Sequence, residues 1–162
     1  MDPSGSRVAV RAARLNDIES VERIEAASFV ADRLSRRSLS HHIASETCDV
    51  LVAELNLDVV GYGLVFYRRT TRIARLYSIA TAPEARGSGI ARALIDACEA
   101  AGSRRGCSVL RLEVRIDNDA AIRLYRKLGY VQFGRHENYY EDGSPALRLE
   151  KPLGARSGVR AA

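Results

Sequence analysis

Apolar and polar residues alternate strictly along Val109–Ile116: Leu110, Leu112, Val114 and Ile116 share one side, and Arg111, Glu113 and Arg115 the other. A period of two marks a strand with one buried face. Val8–Ala12, Val50–Leu55, Val59–Tyr67 and Ile73–Ala80 are further strand-like runs, with Asn56-Leu57-Asp58 as the hairpin turn between the second and third of these. Elsewhere the spacing is helical. Asn16 begins a helix in which Glu19 stands at capping-box distance and Ile18, Val21 and Ile24 share a face. A second helix covers about Ser35–Glu46. A third opens near Gly87–Gly89, after Pro83 has ended the preceding strand, and runs to about Ala101 with Ile90, Leu94, Ile95 and Cys98 inward. Asn118 caps a short fourth helix that stops at Gly129. Two last strands, about Val131–Tyr139 and Ala146–Lys151, flank the turn Glu141-Asp142-Gly143-Ser144.

The order β-α-α-β-β-β-α-β-α-β-β predicts an α/β fold, a mixed central sheet of about seven strands with helices on both faces. The chain has 162 residues, no internal repeat and no dividing linker, so residues 1–153 read as one domain. From Gly154 onward the sequence is small and basic, and 154–162 is expected to be a disordered tail.

Composition adds three constraints. The formal charge is +5, and Lys127 and Lys151 are the only lysines, so the basic character is almost entirely guanidinium. Arginine forks suit phosphates and carboxylates. They are scattered rather than clustered, so direct binding to nucleic acid is not expected. Cys48, Cys98 and Cys107 are odd in number and lack C-x-x-C spacing, which fits free thiols in a reducing compartment. No stretch approaches the length of a membrane span and the N-terminus lacks an apolar signal core, so a cytoplasmic location is expected.

The sharpest local feature is Thr81-Ala82-Pro83-Glu84-Ala85-Arg86-Gly87-Ser88-Gly89-Ile90-Ala91. A strand ends, a proline breaks it, and two glycines open an amphipathic helix whose first free N–H groups and dipole favour anionic oxygens. Small residues at Gly87, Gly89 and Ala91 admit a diphosphate close to the backbone, and Arg86 adds positive charge. A plain helix start with permissive glycines explains the same letters. Neither G-K-[ST] nor G-x-G-x-x-G is present, which sets aside the P-loop and the dinucleotide fingerprint.

Arg86-x-x-Gly89-x-Ala91 resembles the Q/R-x-x-G-x-G/A pyrophosphate loop of GNAT acetyltransferases. Four further segments follow in the order of that family: Leu76-Tyr77-Ser78-Ile79-Ala80-Thr81-x-Pro83; Leu112-Glu113-Val114-Arg115; Asn118-x-x-Ala121-x-x-Leu124-Tyr125-x-x-Leu128-Gly129-Tyr130; and Asn138-Tyr139-Tyr140-Glu141-Asp142-Gly143. Over about Arg7–Leu153 the chain is similar to the RimI branch, whose best-known members acetylate the N-terminal amine of a ribosomal protein. The resemblance implies acetyl-CoA as donor and direct attack by a primary amine, with a protein N-terminus as acceptor. A small amine, a polyamine or a lysine side chain is the alternative, and a non-catalytic acetyl-CoA-binding module a third reading. It also implies a monomer or homodimer with no membrane partner.

By the same resemblance Ile79, Ala80 and Thr81 supply the strand that pairs with pantetheine, and Arg86, Gly87, Ser88, Gly89, Ile90 and Ala91 hold the diphosphate. Asn118 would bond the pantetheine arm, although helix capping explains an Asn there equally well. Tyr125 lies two helical turns beyond Asn118, about 10 Å along the same stripe, and matches the family tyrosine that protonates the leaving thiolate. Glu113 is the candidate general base, acting through water; an exposed glutamate paired with Arg111 and Arg115 is the other reading, and such pairing would weaken it as a base. Tyr139 and Tyr140, read as a strand pair, would wall the acceptor site. Between the first two helices the sequence is Asp32-Arg33-Leu34-Ser35-Arg36-Arg37-Ser38, without the Pro-Trp-Ser common in RimI proteins, and Arg33, Arg36 and Arg37 could face an acidic substrate. His41, His42 and His136 lack metal-ligand spacing, so no metal is implied. No histidine is expected beside Cys48, Cys98 or Cys107, which argues against a covalent acyl-enzyme.

Overall fold

The computed structural model describes residues 7–154. The tail expected beyond Gly154 lies outside the described residues. Seven strands form one sheet: β1 (Val8–Ala12), β2 (Cys48–Leu55), β3 (Asp58–Tyr67), β4 (Ile73–Thr81), β5 (Val109–Arg115), β6 (Val131–His136) and β7 (Ala146–Pro152). Four helices accompany them: α1 (Ile18–Ser28), α2 (Arg36–Ala44), α3 (Ile90–Arg104) and α4 (Asp119–Lys127). The sheet order is β1-β2-β3-β4-β5-β7-β6. Every neighbouring pair is antiparallel except β4 with β5, which are parallel and joined by the α3 crossover.

Strand alternation sorts the helices onto two faces. Gly61 and Gly63 of β3 face α3, where an added Cβ would meet Ile90 and Cys98. Tyr62 faces the other way, and its hydroxyl lies 2.7 Å from that of Ser78, which in turn reaches Glu25 of α1. So α1 and α2 cover the β2–β4 half of one face. On the opposite face α3 and α4 bury Ile95, Cys98, Ile122 and Tyr125 against Leu76, Leu110, Leu112 and Val114.

Gly61 marks the tightest approach. A Cβ there would sit 2.8 Å from Ile90 Cγ2, 3.0 Å from Leu94 Cδ1 and 3.1 Å from the Ala80 carbonyl. The backbone oxygen cannot move aside cheaply, so Gly61→Val is expected to destabilise the fold by about 1–3 kcal/mol. A urea midpoint equal to wild type would show that α3 shifts without cost.

Several boundaries differ from the sequence reading, each for a local reason. The helix expected at Asn16 begins with a 3-10 turn, Leu15–Asp17, and α1 proper starts at Ile18. Asp17 rather than Asn16 organises the entry: its carboxylate accepts the Arg14 N–H at 2.7 Å and grips both terminal nitrogens of Arg11, at 2.7 and 2.9 Å. Glu19 takes no part. A charge-assisted fork from β1 outweighs a neutral amide cap. Ser35 does cap α2, accepting the Ser38 N–H at 3.0 Å, but the helix ends at Ala44. The hairpin turn is only Asn56-Leu57, both with positive φ, since Asp58 already pairs with Leu55. Helix α3 continues past Ala101 because Gly102 lets it approach Ala74 and Leu153, and Gly106, with φ +82°, ends the turn beyond it. Strand β6 stops at His136: Asn138 takes φ +51°, and Tyr139 and Tyr140 both donate their N–H to the Ser144 carbonyl. The two tyrosines therefore belong to the loop joining β6 to β7, not to a strand.

Candidate active site

Strands β4 and β5 pair only from Ile73–Val109 to Leu76–Leu112. Beyond that point β4 runs on to Thr81 and β5 to Arg115 without further pairing between them. The cause is visible in the next register: Ser78 pairs with Leu64 and Leu76 with Val65, leaving Tyr77 as an extra residue. A bulge bends its strand and ends pairing on one side. The result is an open gap between β4 and β5. Along Tyr77–Thr81 every second residue turns its N–H and C=O toward that gap rather than toward β3. Ile79, Ala80 and Thr81 line this stretch.

The chain then passes through a 3-10 turn, Pro83–Ala85, into Arg86-Gly87-Ser88-Gly89 and α3. Gly87 and Gly89 have φ +82° and +79°, and a Cβ on either would meet nothing within 4 Å. Gly89 occupies the helix N-cap with no side chain accepting from the first turn, so the early N–H groups of Ile90 and Ala91 face outward. Arg86 and Ser88 are exposed, and Arg86 forms no ion pair among the described residues. Open space, free amides and an unpaired cation together make a cradle for an anionic group.

The flanks of the gap differ chemically. Tyr125 of α4 approaches from the helical side: it is buried, packs edge to face on Tyr130 at 5.5 Å, and its hydroxyl makes no hydrogen bond among the described residues. Burial, with lesser effects from Cys98 and Tyr140, holds its phenol well above the ordinary range. Asn118 caps α4, accepting the Ala121 N–H at 3.2 Å. Glu113 projects from the opposite face of β5, its neighbours Leu112 and Val114 pointing toward Tyr125's side. The Glu113 side chain is only 12% exposed.

Its partners are not the neighbours in sequence. Arg75 of β4 donates from Nε to Glu113 at 3.2 Å, and Arg148 of β7 lies 3.8 Å away. Arg111 pairs instead with Glu150, and Arg115 with Asp142 and Asp117. Side chains two apart on a strand are separated by about 6.6 Å, whereas directly opposed residues lie closer, and Arg148 is opposed to Glu113. Burial works against the Arg75 charge, but Glu113 and Tyr139 more than offset it. Tyr139 accepts from Arg75 at 2.8 Å and stacks edge to face on Tyr140 at 4.9 Å. Burial, followed by the proximity of the Tyr139 phenol, pushes the Tyr140 phenol up to about 12. Glu113, Tyr139 and Tyr140 thus meet at the mouth of the gap.

Two features were missed in the sequence. Glu25 of α1 is 2% exposed; burial lifts its carboxyl, against hydrogen bonds from the Leu34 N–H at 2.9 Å and the Ser78 hydroxyl at 3.5 Å that lower it. It ties the loop before α2 to the bulged strand, and its signal was a charge continuing the Ile18–Val21 stripe one helical repeat on. Arg75 and Arg148 are the second. One expectation, on cysteine, is corrected. His42 Nδ1 does lie 3.8 Å from Cys48 Sγ, contrary to the expectation that no histidine would be near. Cys48 is buried, its thiol is raised by burial, and it donates to the His42 carbonyl at 3.1 Å, so the pair reads as packing. Arg33 and Arg36 are also committed elsewhere, to the Phe29 carbonyl and to Glu22.

Comparison with known proteins gives these features a family. The model of the acetyltransferase (GNAT) family matches residues 15–130. A protein of Bacillus subtilis (strain 168), named putative ribosomal protein bS18-alanine N-acetyltransferase, is 34% identical over 148 residues, 88% of this chain and 93% of its own. The crystal structure of Ard1 from Thermoplasma volcanium superposes with a TM-score of 0.80 at 31% identity, over 91% of this chain and 98% of that one. That of the ribosomal-protein-S18-alanine N-acetyltransferase from Escherichia coli reaches 0.81 at 24% identity, over 91% and 95%, a likeness of fold. This chain therefore belongs to the GNAT family, enzymes that transfer an acetyl group from acetyl-CoA.

Proposed function

We propose that the chain acetylates the N-terminal α-amine of a protein by direct attack in a ternary complex. The observation that carries this reading is the placement of Glu113 and Tyr125 on opposite faces of the β4–β5 gap. A base on one side and an acid on the other suit an amine that attacks from one face while a thiolate leaves toward the other. Acetyl-CoA supplies an activated thioester. The open backbone at Gly87 and Gly89 with the unpaired Arg86 fits its diphosphate, and Ser88, Ile90 and Ala91 complete that turn. The free edge of Ile79, Ala80 and Thr81, with Asn118 across from it, fits the pantetheine arm.

In this mechanism Glu113 accepts a proton from the incoming ammonium through water, held in place beside Arg75 and Arg148. Tyr125, as general acid, donates a hydrogen bond to the leaving sulfur as negative charge builds on it. Tyr139 and Tyr140 wall the acceptor's approach. One domain spanning the described residues carries all these groups. The free thiols of Cys48, Cys98 and Cys107 support a cytoplasmic setting.

The relative from Bacillus subtilis makes the N-terminus of a ribosomal protein the first acceptor to try. Thiol release from acetyl-CoA would be measured with short peptides starting in Ala, Ser or Met, each with a free or blocked N-terminus. Lysine-containing N-blocked peptides and polyamines complete the panel. Turnover on free N-termini alone is the expected result. Turnover on polyamines or N-blocked lysine peptides instead would overturn the α-amine reading, and thiol release independent of any amine would overturn transfer to an amine.

A further inference from the structure

Helix cover stops short of the strands that carry Glu113. On its face α1 and α2 pack on β2, β3 and β4, and among the described residues no helix packs across β5, β7 and β6 on that side. The floor there is a row of half-buried charges: Arg75, Arg111, Glu113, Arg148 and Glu150. Arg111 and Glu150 neutralise one another at 2.8 Å. Glu113 answers two guanidiniums, Arg75 and Arg148, while farther along β5 Arg115 answers two carboxylates, Asp117 and Asp142; the positive member of this balance lies beside Glu113, where an amine would approach it.

Arg148 is that member. Arg75 bonds Glu113 and Tyr139, Arg111 bonds Glu150, and Arg115 bonds Asp117, Asp142 and Ser144. Arg148 forms no hydrogen bond among the described residues, and its Nε is buried without a partner. At 3.8 Å its contact with Glu113 is electrostatic only. Phe133 holds it in place, with the Arg148 guanidinium 4.7 Å from the ring centroid and that of Arg111 at 4.5 Å. Stacking fixes the plane of the fork and leaves its edge donors available, the arrangement that receives a carboxylate in two-pronged fashion. The Arg148 Nε is turned inward toward Glu113, so the terminal nitrogens of this 39% exposed side chain are the donors a ligand reaches.

The placement of Arg148 beside Glu113 also has a consequence for the acceptor. A second positive group beside the reacting amine meets repulsion here, and a negative one meets Arg148. We infer that the acceptor carries a carboxylate close to its reactive amine, and that Arg148, assisted by Arg75, receives it. Two sources share that chemistry: an Asp or Glu in the first few residues of a protein N-terminus, or the α-carboxylate of a free amino acid. The inference rests on the acetyltransferase reading of Glu113's surroundings and narrows it. The open sheet face is a second place for an acidic group, in addition to the α1–α2 segment with Arg33, Arg36 and Arg37.

The test compares matched acceptors on the full chain. One pair is a peptide beginning Ala-Asp-Glu against its Ala-Asn-Gln counterpart; the other is free alanine against alaninamide. In at least one pair, kcat/KM is expected to favour the carboxylate by about tenfold or more at low salt. That ratio should shrink toward one as ionic strength rises. Arg148→Met, which keeps a stem against Phe133, should lower the ratio severalfold, and Arg148→Glu should invert it in favour of an Ala-Lys-Lys peptide. Because each ratio is read within one variant, a general loss of rate cancels. If a variant fails to fold by thermal melt, the wild-type ratio and its salt dependence decide alone. A preference in the peptide pair identifies an acidic N-terminus; a preference confined to alanine keeps the carboxylate and discards the peptide acceptor. Peptide turnover with a ratio near one would leave the α-amine reading intact and overturn this inference. So would a ratio unmoved by folded Arg148 variants, or no preference for either carboxylate-bearing acceptor.

Discussion

Tyr125→Phe is expected to lower kcat about 100-fold at saturating substrates while acetyl-CoA affinity stays within about twofold, as read by calorimetry. Only the hydroxyl is lost. The ring, which packs between Tyr130 and the apolar side of β5, keeps its shape, so thermal stability should change little. The size of the effect follows from the environment of the phenol. Burial holds it well above its ordinary range, which keeps the proton on the oxygen at any working pH. The same burial makes complete transfer to a thiolate uphill, since an ordinary thiol titrates near ~8.5. Tyr125 then acts largely by hydrogen bonding to the sulfur as charge builds, and the loss falls at the low end of the range for general acids, about 2.7 kcal/mol of barrier. Full retention of kcat in a folded variant would remove Tyr125 from the chemistry.

What could be read from the sequence was whatever a short stretch of chain decides for itself. The alternation in β5 put Glu113 on the polar face, and the glycines flanking Ser88 marked a bare helix entrance; both depend on residues within a few positions. Partner choice does not. Glu113 meets Arg148 because β7 inserts between β5 and β6 in one particular register, and it meets Arg75 because β4 lies parallel beside it. No local pattern prefers those arginines to Arg111 and Arg115, which stand nearer in sequence and pair elsewhere. The gap itself was invisible for a similar reason: Tyr77 looks like any strand residue until β3 supplies the register that makes it a bulge. Tyr139 and Tyr140 read as strand from the β propensity of tyrosine alone, and one left-handed residue, Asn138, overrides it. Glu25 was legible as a charge on a buried stripe but not as a tether, since Leu34 and Ser78 come from two other elements.

Glu113→Gln is expected to lower kcat/KM about 100-fold near pH 6.5 and only a few-fold near pH 9.5. The pH dependence carries the argument, because the carboxylate has two possible jobs. As a charge it balances Arg75 and Arg148, and its loss leaves two guanidiniums facing one another across β5; a fall in the thermal midpoint is the expected cost of that. Such a cost does not vary with the ionisation of the acceptor. As a proton acceptor it matters most when the amine arrives protonated. An α-amine with a pKa near ~8 is mostly ammonium at pH 6.5 and mostly free at pH 9.5, so solvent replaces the base at the upper end. The ratio of wild type to variant should therefore converge as pH rises through the pKa of the acceptor. A constant ratio across the range would reduce Glu113 to a structural counter-ion. The pH of convergence also reports on the acceptor: near 8 for a protein N-terminus, and about two units higher for a lysine side chain, whose amine titrates near ~10.4.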